Sequence, residues 1–159
     1  MIRRILSALS NRLPCRIISD GDRPYLERYY LFTIFGVRFY LHRFVRSDPD
    51  RGCHDHPWPW ALSLILRGWY WEERRSGIRT VRRLNWLTGD TFHRVILPED
   101  RGVHEVWTVF AHRARRVKLW GFLRNEGFQT VYRVHAPSTD EAWWTTAPKG
   151  RDEPRRMPI

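Results

Sequence analysis

Apolar residues recur with a period of two along most of this chain. Leu26–Phe35 and Val37–Val45 are β-branched and aromatic runs joined near Gly36, the pattern of a hairpin. Trp60–Leu66 and Trp69–Glu73 lie on either side of Gly68 and read as two more strands. Ile78–Leu84, Thr91–Leu97, Glu105–Ala111, Val117–Leu123 and Gln129–Val134 continue the pattern, with turns at Ser76-Gly77, Pro98–Gly102 and Asn125–Gly127. Ser47–Gly52 is a loop by its residues. One segment departs from this period: Ile2, Ile5, Leu6 and Leu9 have helical spacing, limited by Pro14, and predict a short amphipathic helix that serves as a lid. Eight or more short strands with little helix imply an all-β fold, an antiparallel β-barrel or jelly roll with a short N-terminal helix. The expected division is an N-terminal helix and arm over 1–24, a barrel over 25–135, and an irregular tail over 136–159. Trp143 and Trp144 are expected to fold that tail back on the barrel.

A chain of 159 residues, 42% hydrophobic and 14% aromatic, is long enough for one domain with its own core. Cys15 and Cys53 supply no disulfide framework, which points to a reducing compartment. Ile5–Leu9 is too short for a secretory apolar region, and no run approaches the ~20 apolar residues of a membrane helix. The expectation is a soluble cytoplasmic protein with no membrane partner. The net charge is +11, and 26 of the 28 basic residues are arginine. Either a polyanion such as nucleic acid is a partner, or arginine is simply the basic residue of a solvated surface. The spread of arginines along the whole chain favours the second reading.

The sharpest chemical feature is His54-Asp55-His56. On an extended segment, residues i and i+2 point to one side, so both imidazoles can reach one metal ion. Asp55 then points away and is free to orient its surroundings. Tyr70 and Glu72 alternate onto one face and are candidates for an acid–base pair, against the plainer reading of a strand end in water. Asp48 and Asp50 are read as turn chemistry, and Arg94 as the partner of a surface carboxylate. His104, His112 and His135 are taken as surface residues. Trp58, Trp60, Trp107 and Trp120 are read as mainly core.

The His-x-His at the head of an apolar strand, with Gly68 at the matching distance, resembles the first motif of the cupin superfamily. The family's acidic ligand would fall on Ala61, so that carboxylate is absent. His93, in Gly89-Asp-Thr-Phe-His93, resembles the histidine of the second motif, although Thr88 and Asp90 replace its usual Pro-x-Gly frame. Longer stretches are similar to small cupin-like proteins of bacteria and their phages. They are Phe39–Asp50, His54-Asp-His-Pro-Trp58, Leu62–Gly68 with Tyr70 and Glu72, His93–Leu97, Trp107–Phe110 and Trp120–Phe122. The resemblance implies a cupin-type barrel with His54, His56 and His93 as ligands of one divalent metal ion. Iron is the first expectation, with zinc, manganese or nickel as alternatives.

His42 also matches that pattern, and is a candidate fourth ligand or pocket base. Three imidazoles without a carboxylate look like the ligand pattern of the thiol dioxygenases among cupins. The leading expectation is therefore a metal-dependent, oxygenase-like enzyme on a small-molecule substrate, with proton transfer by Tyr70, Glu72 or His42. A non-catalytic cupin that binds a ligand is the alternative, and a nucleic-acid-associated cupin is less favoured. Dimerisation through Ile2–Leu9 is a further expectation.

Overall fold

The computed structural model describes residues 1–135 and 142–159. Helix α1 (Ile2–Ser10) precedes the strands β1 (Cys15–Asp20), β2 (Arg23–Ile34), β3 (Val37–Phe44), β4 (Trp60–Arg67), β5 (Tyr70–Arg74) and β6 (Gly77–Val81). They are followed by β7 (Leu84–Thr88), β8 (His93–Ile96), β9 (Val106–Arg113), β10 (Gly121–Glu126) and β11 (Gln129–Val134). Every pairing between these strands is antiparallel. The β2–β3 hairpin turns on Phe35 and Gly36, both with positive φ (48° and 70°). Such turns match the right-handed twist of the flanking strands.

One wall is a six-stranded sheet in the order β1-β2-β3-β9-β4-β7. The other is built from the three-stranded sheet β6-β5-β8 and the hairpin β10–β11. Leu26, Phe44 and Val106 from the first wall pack with Tyr70, Val81 and Val95 from the second. The two-residue period sorts the side chains: on β3, His42 and Phe44 face a cavity inside the barrel, whereas Leu41 joins a second cluster with Tyr29, Cys15 and Trp107. Leu6 of α1 covers that outer cluster, while Ile2, Ile5 and Leu9 stay exposed. Fully burying one such apolar side chain contributes about 1.5–3 kcal/mol.

Three strands depart from the pattern read in the sequence; the one expected over Val117–Leu123 starts only at Gly121 and runs to Glu126. Cys15–Asp20, placed in an arm, pairs along the edge of β2. Its strand character comes from the open edge that β2 presents, since only Cys15 and Ile17 in it are buried. The run expected over Ile78–Leu84 breaks at Arg82-Arg83. Its first part pairs with β5 and a new strand, Leu84–Thr88, pairs with β4, so the two halves belong to different sheets.

The described part of the tail closes one end of the barrel. Trp143 is buried with Tyr40, Ala61, Leu87 and Phe110, and Trp144 stacks on Tyr30 at 4.2 Å between ring centroids. Residues 136–141 of the expected tail lie outside the described residues. The last residues clamp the outer face: Arg43 donates to the carbonyls of Met157 and Pro158 at 2.9 and 2.8 Å. Arg43 is itself buried between the carboxylates of Glu27 and Glu105.

Candidate metal centre

The segment that joins β3 to β4 inserts between β8 and β10. His54 forms isolated bridges to His93 on one side and Phe122 on the other, so its backbone completes the second wall. Gly52 makes this approach possible: its φ is +95°, and a Cβ there would lie 1.8 Å from the Leu123 carbonyl oxygen. A side chain at that position would push the segment off β10.

His54 and His93 exchange both backbone hydrogen bonds, N–H to O=C, at 2.9 Å. Residues so paired project their side chains to the same face. His56, two residues on, projects there too. The ring centroids lie 4.7 Å (His54–His93), 5.2 Å (His54–His56) and 5.1 Å (His56–His93) apart. One ring nitrogen from each residue lies within 4.8 Å of the others, and Nε2 of His56 is 3.0 Å from Nε2 of His93. A shared ion at roughly 2.0–2.2 Å from each nitrogen needs nitrogens about 3.0–3.6 Å apart, so the His56–His93 separation already suits one ion.

Burial, then the nearby His93, holds His54 and His56 well below the ordinary imidazole pKa. Both rings are neutral near pH 7 and carry a lone pair, the state that a metal ligand requires. His93 is backed by a carboxylate: Oε1 of Glu72 lies 2.9 Å from its Nδ1, a contact that departs from the direction of an ideal hydrogen bond. On β5, Glu72 is opposite Val95, which places it diagonally across from His93 on the same face. A carboxylate there favours a proton on Nδ1 and leaves Nε2 for a ligand.

Asp55 points away from the three rings, as the alternation requires. Its buried carboxylate accepts from the Gly121 N–H at 2.7 Å and from Lys118 Nζ at 2.7 Å, and Tyr132 Oη donates to it at 3.2 Å. These contacts fasten the histidine segment to β10 and β11. Asp48 has a related role: its carboxylate accepts from the Val95 N–H at 2.9 Å and ties the loop to β8. Burial raises the Asp48 pKa, and the Val95 bond works against that rise.

The structure places the other candidates differently. Glu72 is not on the cavity wall as a pocket acid. Its carboxylate accepts from Arg74 Nε (2.7 Å), Arg79 Nε (2.6 Å) and Asn85 Nδ2 (2.6 Å). Burial alone would raise its pKa, but His93, Arg74 and Asn85 outweigh it and hold the group ionised. Tyr70 does line the cavity, where its Oη accepts from Asn85 at 3.1 Å and burial pushes its pKa up to about 12. His42 lines the cavity but stands outside the group of three. Its Nε2 accepts from Arg28 Nε at 3.0 Å, which takes up the lone pair that a ligand or base would use. Burial, then the charge of Arg28, keeps His42 neutral.

His112 is a correction. It is buried and stacked on Trp58 at 3.5 Å between centroids, because inward positions on β9 alternate through Thr108, Phe110 and His112. His104 and His135 are exposed, although the His135 ring packs at a tilt against Trp120 at the cavity. Arg94 pairs with Glu73 and Asp50 at the surface. Ala61 is buried among Tyr40, Leu87 and Phe110, so packing fills the place of an acidic ligand. Arg28, Asn85 and Lys118 went unrecognised in the sequence, since only sheet register brings them to the site.

A cavity of about 330 Å³ opens over the three histidines. Phe44, Trp58, Phe110, Trp120 and Phe122 give it aromatic walls, and Arg16, Arg28, Arg51 and Arg116 give it positive charge.

No protein-family model matches the sequence, and no curated protein sequence matches it. The likeness lies in the fold. A cupin-2 domain protein of Rhodospirillum rubrum superposes with a TM-score of 0.54 at 15% identity, over 67% of this chain and 72% of that one. A structure of the DMSP lyases RdDddP and RnDddQII superposes with a TM-score of 0.57 at 14% identity, over 76% and 67%. The iron(II) form of HppE gives 0.50 at 9% identity, over 63% and 56%. The protein has the cupin fold, with a histidine trio able to hold a metal ion inside the barrel. No described helix is long and apolar enough to cross a membrane.

Proposed function

We propose that His54, His56 and His93 hold one divalent metal ion in a metal-dependent enzyme that acts on a small molecule in the cavity. The observation that carries this reading is the convergence of three imidazole nitrogens within 4.8 Å of one another, at the floor of a cavity. The donor set fits: two rings are neutral by burial, and the third has a carboxylate behind it. A bound ion supplies Lewis acidity, and iron would add the capacity for dioxygen chemistry. Iron is the first choice, supported by the imidazole-only donors and by the iron(II) protein among the structural neighbours; zinc, manganese or nickel suit the same donors.

Within this reading, Glu72 sets the His93 tautomer and Asp55 holds the His54–His56 segment in register. The aromatic walls exclude water from the substrate, and Tyr70 donates a hydrogen bond rather than ionising. The oxygenase-like activity expected from the three-histidine pattern is the leading reaction class.

One observation favours a second reading, a non-catalytic cupin that binds its ligand without turnover. Glu72 is saturated by its partners and Tyr70 is held protonated, so neither is poised to accept a proton near pH 7. Nucleic acid is the least supported partner. Arg43, Arg74, Arg79 and Arg94 are committed to carboxylates of the protein itself.

The test is the metal content of protein purified without a histidine tag, for wild type, His54→Ala and His93→Ala. The expected result is one equivalent in the wild type and loss in both variants. Wild-type protein that stays metal-free after reconstitution with iron, zinc, manganese or nickel overturns the metalloenzyme reading. With metal present, oxygen uptake on candidate substrates separates the enzyme from the binding module.

A further inference from the structure

The charge inside the cavity is not what a barrel needs for its own stability. Arg28 projects from β2 among aromatic residues, where burial opposes its charge. Its Nε donates to His42 Nε2 at 3.0 Å, and its guanidinium lies 5.3 Å from the centre of the Tyr40 ring. Among the described residues, no carboxylate pairs with it and no acceptor meets its Nη1 or Nη2 groups. Arg16, also on the cavity wall, has no carboxylate partner among the described residues either. Two other charges of the cavity do have partners: Arg51 lies 3.6 Å from Asp20, and the Asp48 carboxylate accepts from Val95 N–H. Arg28 and the three histidines line the same cavity.

An unmatched guanidinium in an aromatic cavity is costly unless something else neutralises it. With Nε already used by His42, the two Nη groups remain as a fork with planar, paired donors. That shape matches the two oxygens of a carboxylate. His42 is then a positioning residue: neutral, and oriented as an acceptor, it fixes the plane of the fork. The cavity volume of about 330 Å³ suits a small molecule, and its walls offer aromatic surface for an apolar body.

We propose that the cavity binds a small organic carboxylate, with its anionic group on Arg28, assisted by Arg16, and its apolar body against Phe44 and Phe110. This deepens the reading of the cavity as a substrate site, and rests on it.

The experiment is calorimetric titration of the protein with a panel of monocarboxylates from acetate to benzoate and naphthoate. Each acid is compared with its own neutral amide, in metal-loaded and metal-free protein, and metal content is measured on the same samples. At least one carboxylate should bind roughly ten- to a hundred-fold more tightly than its amide in metal-free protein, the range of hydrogen bonds to a charged group. Arg28→Gln should remove that preference and leave metal content unchanged, while Arg28→Lys should restore part of it. Arg16→Gln should weaken it by a smaller factor and serves if Arg28 variants fail to fold. Equal binding of acids and amides, or a preference that survives Arg28→Gln, overturns the proposal, as does a preference for phenyl phosphate over every carboxylate. A carboxylate preference in protein that never takes up metal leaves the inference standing and removes the metalloenzyme reading; metal uptake without the preference does the reverse.

Discussion

The Glu72 carboxylate stands 2.9 Å from Nδ1 of His93 on the neighbouring strand, in a diagonal relationship that only the β5–β8 register creates. With a metal ion held as proposed, such a contact would tune its ligand from behind. Glu72→Gln keeps the shape of the side chain but removes the charge that orients the ring. It should weaken metal affinity by roughly ten- to a hundred-fold, the usual effect of losing a carboxylate behind a histidine ligand. Competition against a fluorescent chelator measures this directly. Unchanged affinity would mean that His93 does not depend on Glu72.

Asp55 should matter as much for folding as for the site. Its buried carboxylate meets Gly121 N–H, Lys118 and Tyr132. Asp55→Ala leaves the Gly121 N–H without its partner and frees the histidine segment from β10. The expected cost is about 2–4 kcal/mol in urea unfolding, together with weaker metal binding. Lys118→Met should cost less, because Lys118 is partly exposed to solvent. A loss equal to that of Asp55→Ala would show that the ion pair, not the backbone bond, dominates.

Two buried imidazoles away from the trio give the protein a pH-dependent stability. Burial lowers the folded-state pKa of His42 and His112, the latter to about 3, from 6.5. The unfolded chain therefore binds more protons than the folded one below about pH 6.5. Stability is complete above that pH and falls as pH drops through the window, by up to about 1.4 kcal/mol per pH unit for each group. Asp48, raised by burial, opposes this trend. Denaturation midpoints between pH 7.5 and 5 should show the fall, and His112→Gln should reduce its slope. A flat profile would contradict the neutral state of both rings.

The outer face carries a separate liability. Arg43 is buried between Glu27 and Glu105 and also holds the chain end through Met157 and Pro158. Arg43→Met leaves two carboxylates with less compensation, and should cost about 3–5 kcal/mol. Thermal melts check the size of the loss, and limited proteolysis should show release of the C-terminal residues. Metal stoichiometry should be unaffected, since the sheet separates this network from the cavity.

The sequence determined more of this protein than its polar composition suggests. The period-two pattern specified the hairpin around Gly36 and most strands, because inward and outward positions alternate with the pleat. The spacing of His54 and His56 placed two imidazoles on one side, and that side is the cavity, because the segment is extended. The same alternation sent Asp55 the other way. Local chemistry reached no further. Cys15–Asp20 became a strand because β2 had an open edge, and Leu84–Thr88 left its neighbour β6 because its partner was β4. His112 was buried by the inward positions of β9, which a short-range pattern around a surface-like Ala-His-Arg does not reveal.

Tertiary structure alone decided what stands behind and around the histidines. His93 joins His54 through reciprocal backbone bonds across 39 residues of chain. Glu72 reaches His93, and Arg28 reaches His42, through strand register. No spacing rule in one sequence encodes which residues become diagonal neighbours, since register depends on how all the walls pack together. A residue's type tells what chemistry it can perform; the sheet decides whether it faces a partner, a cavity or water.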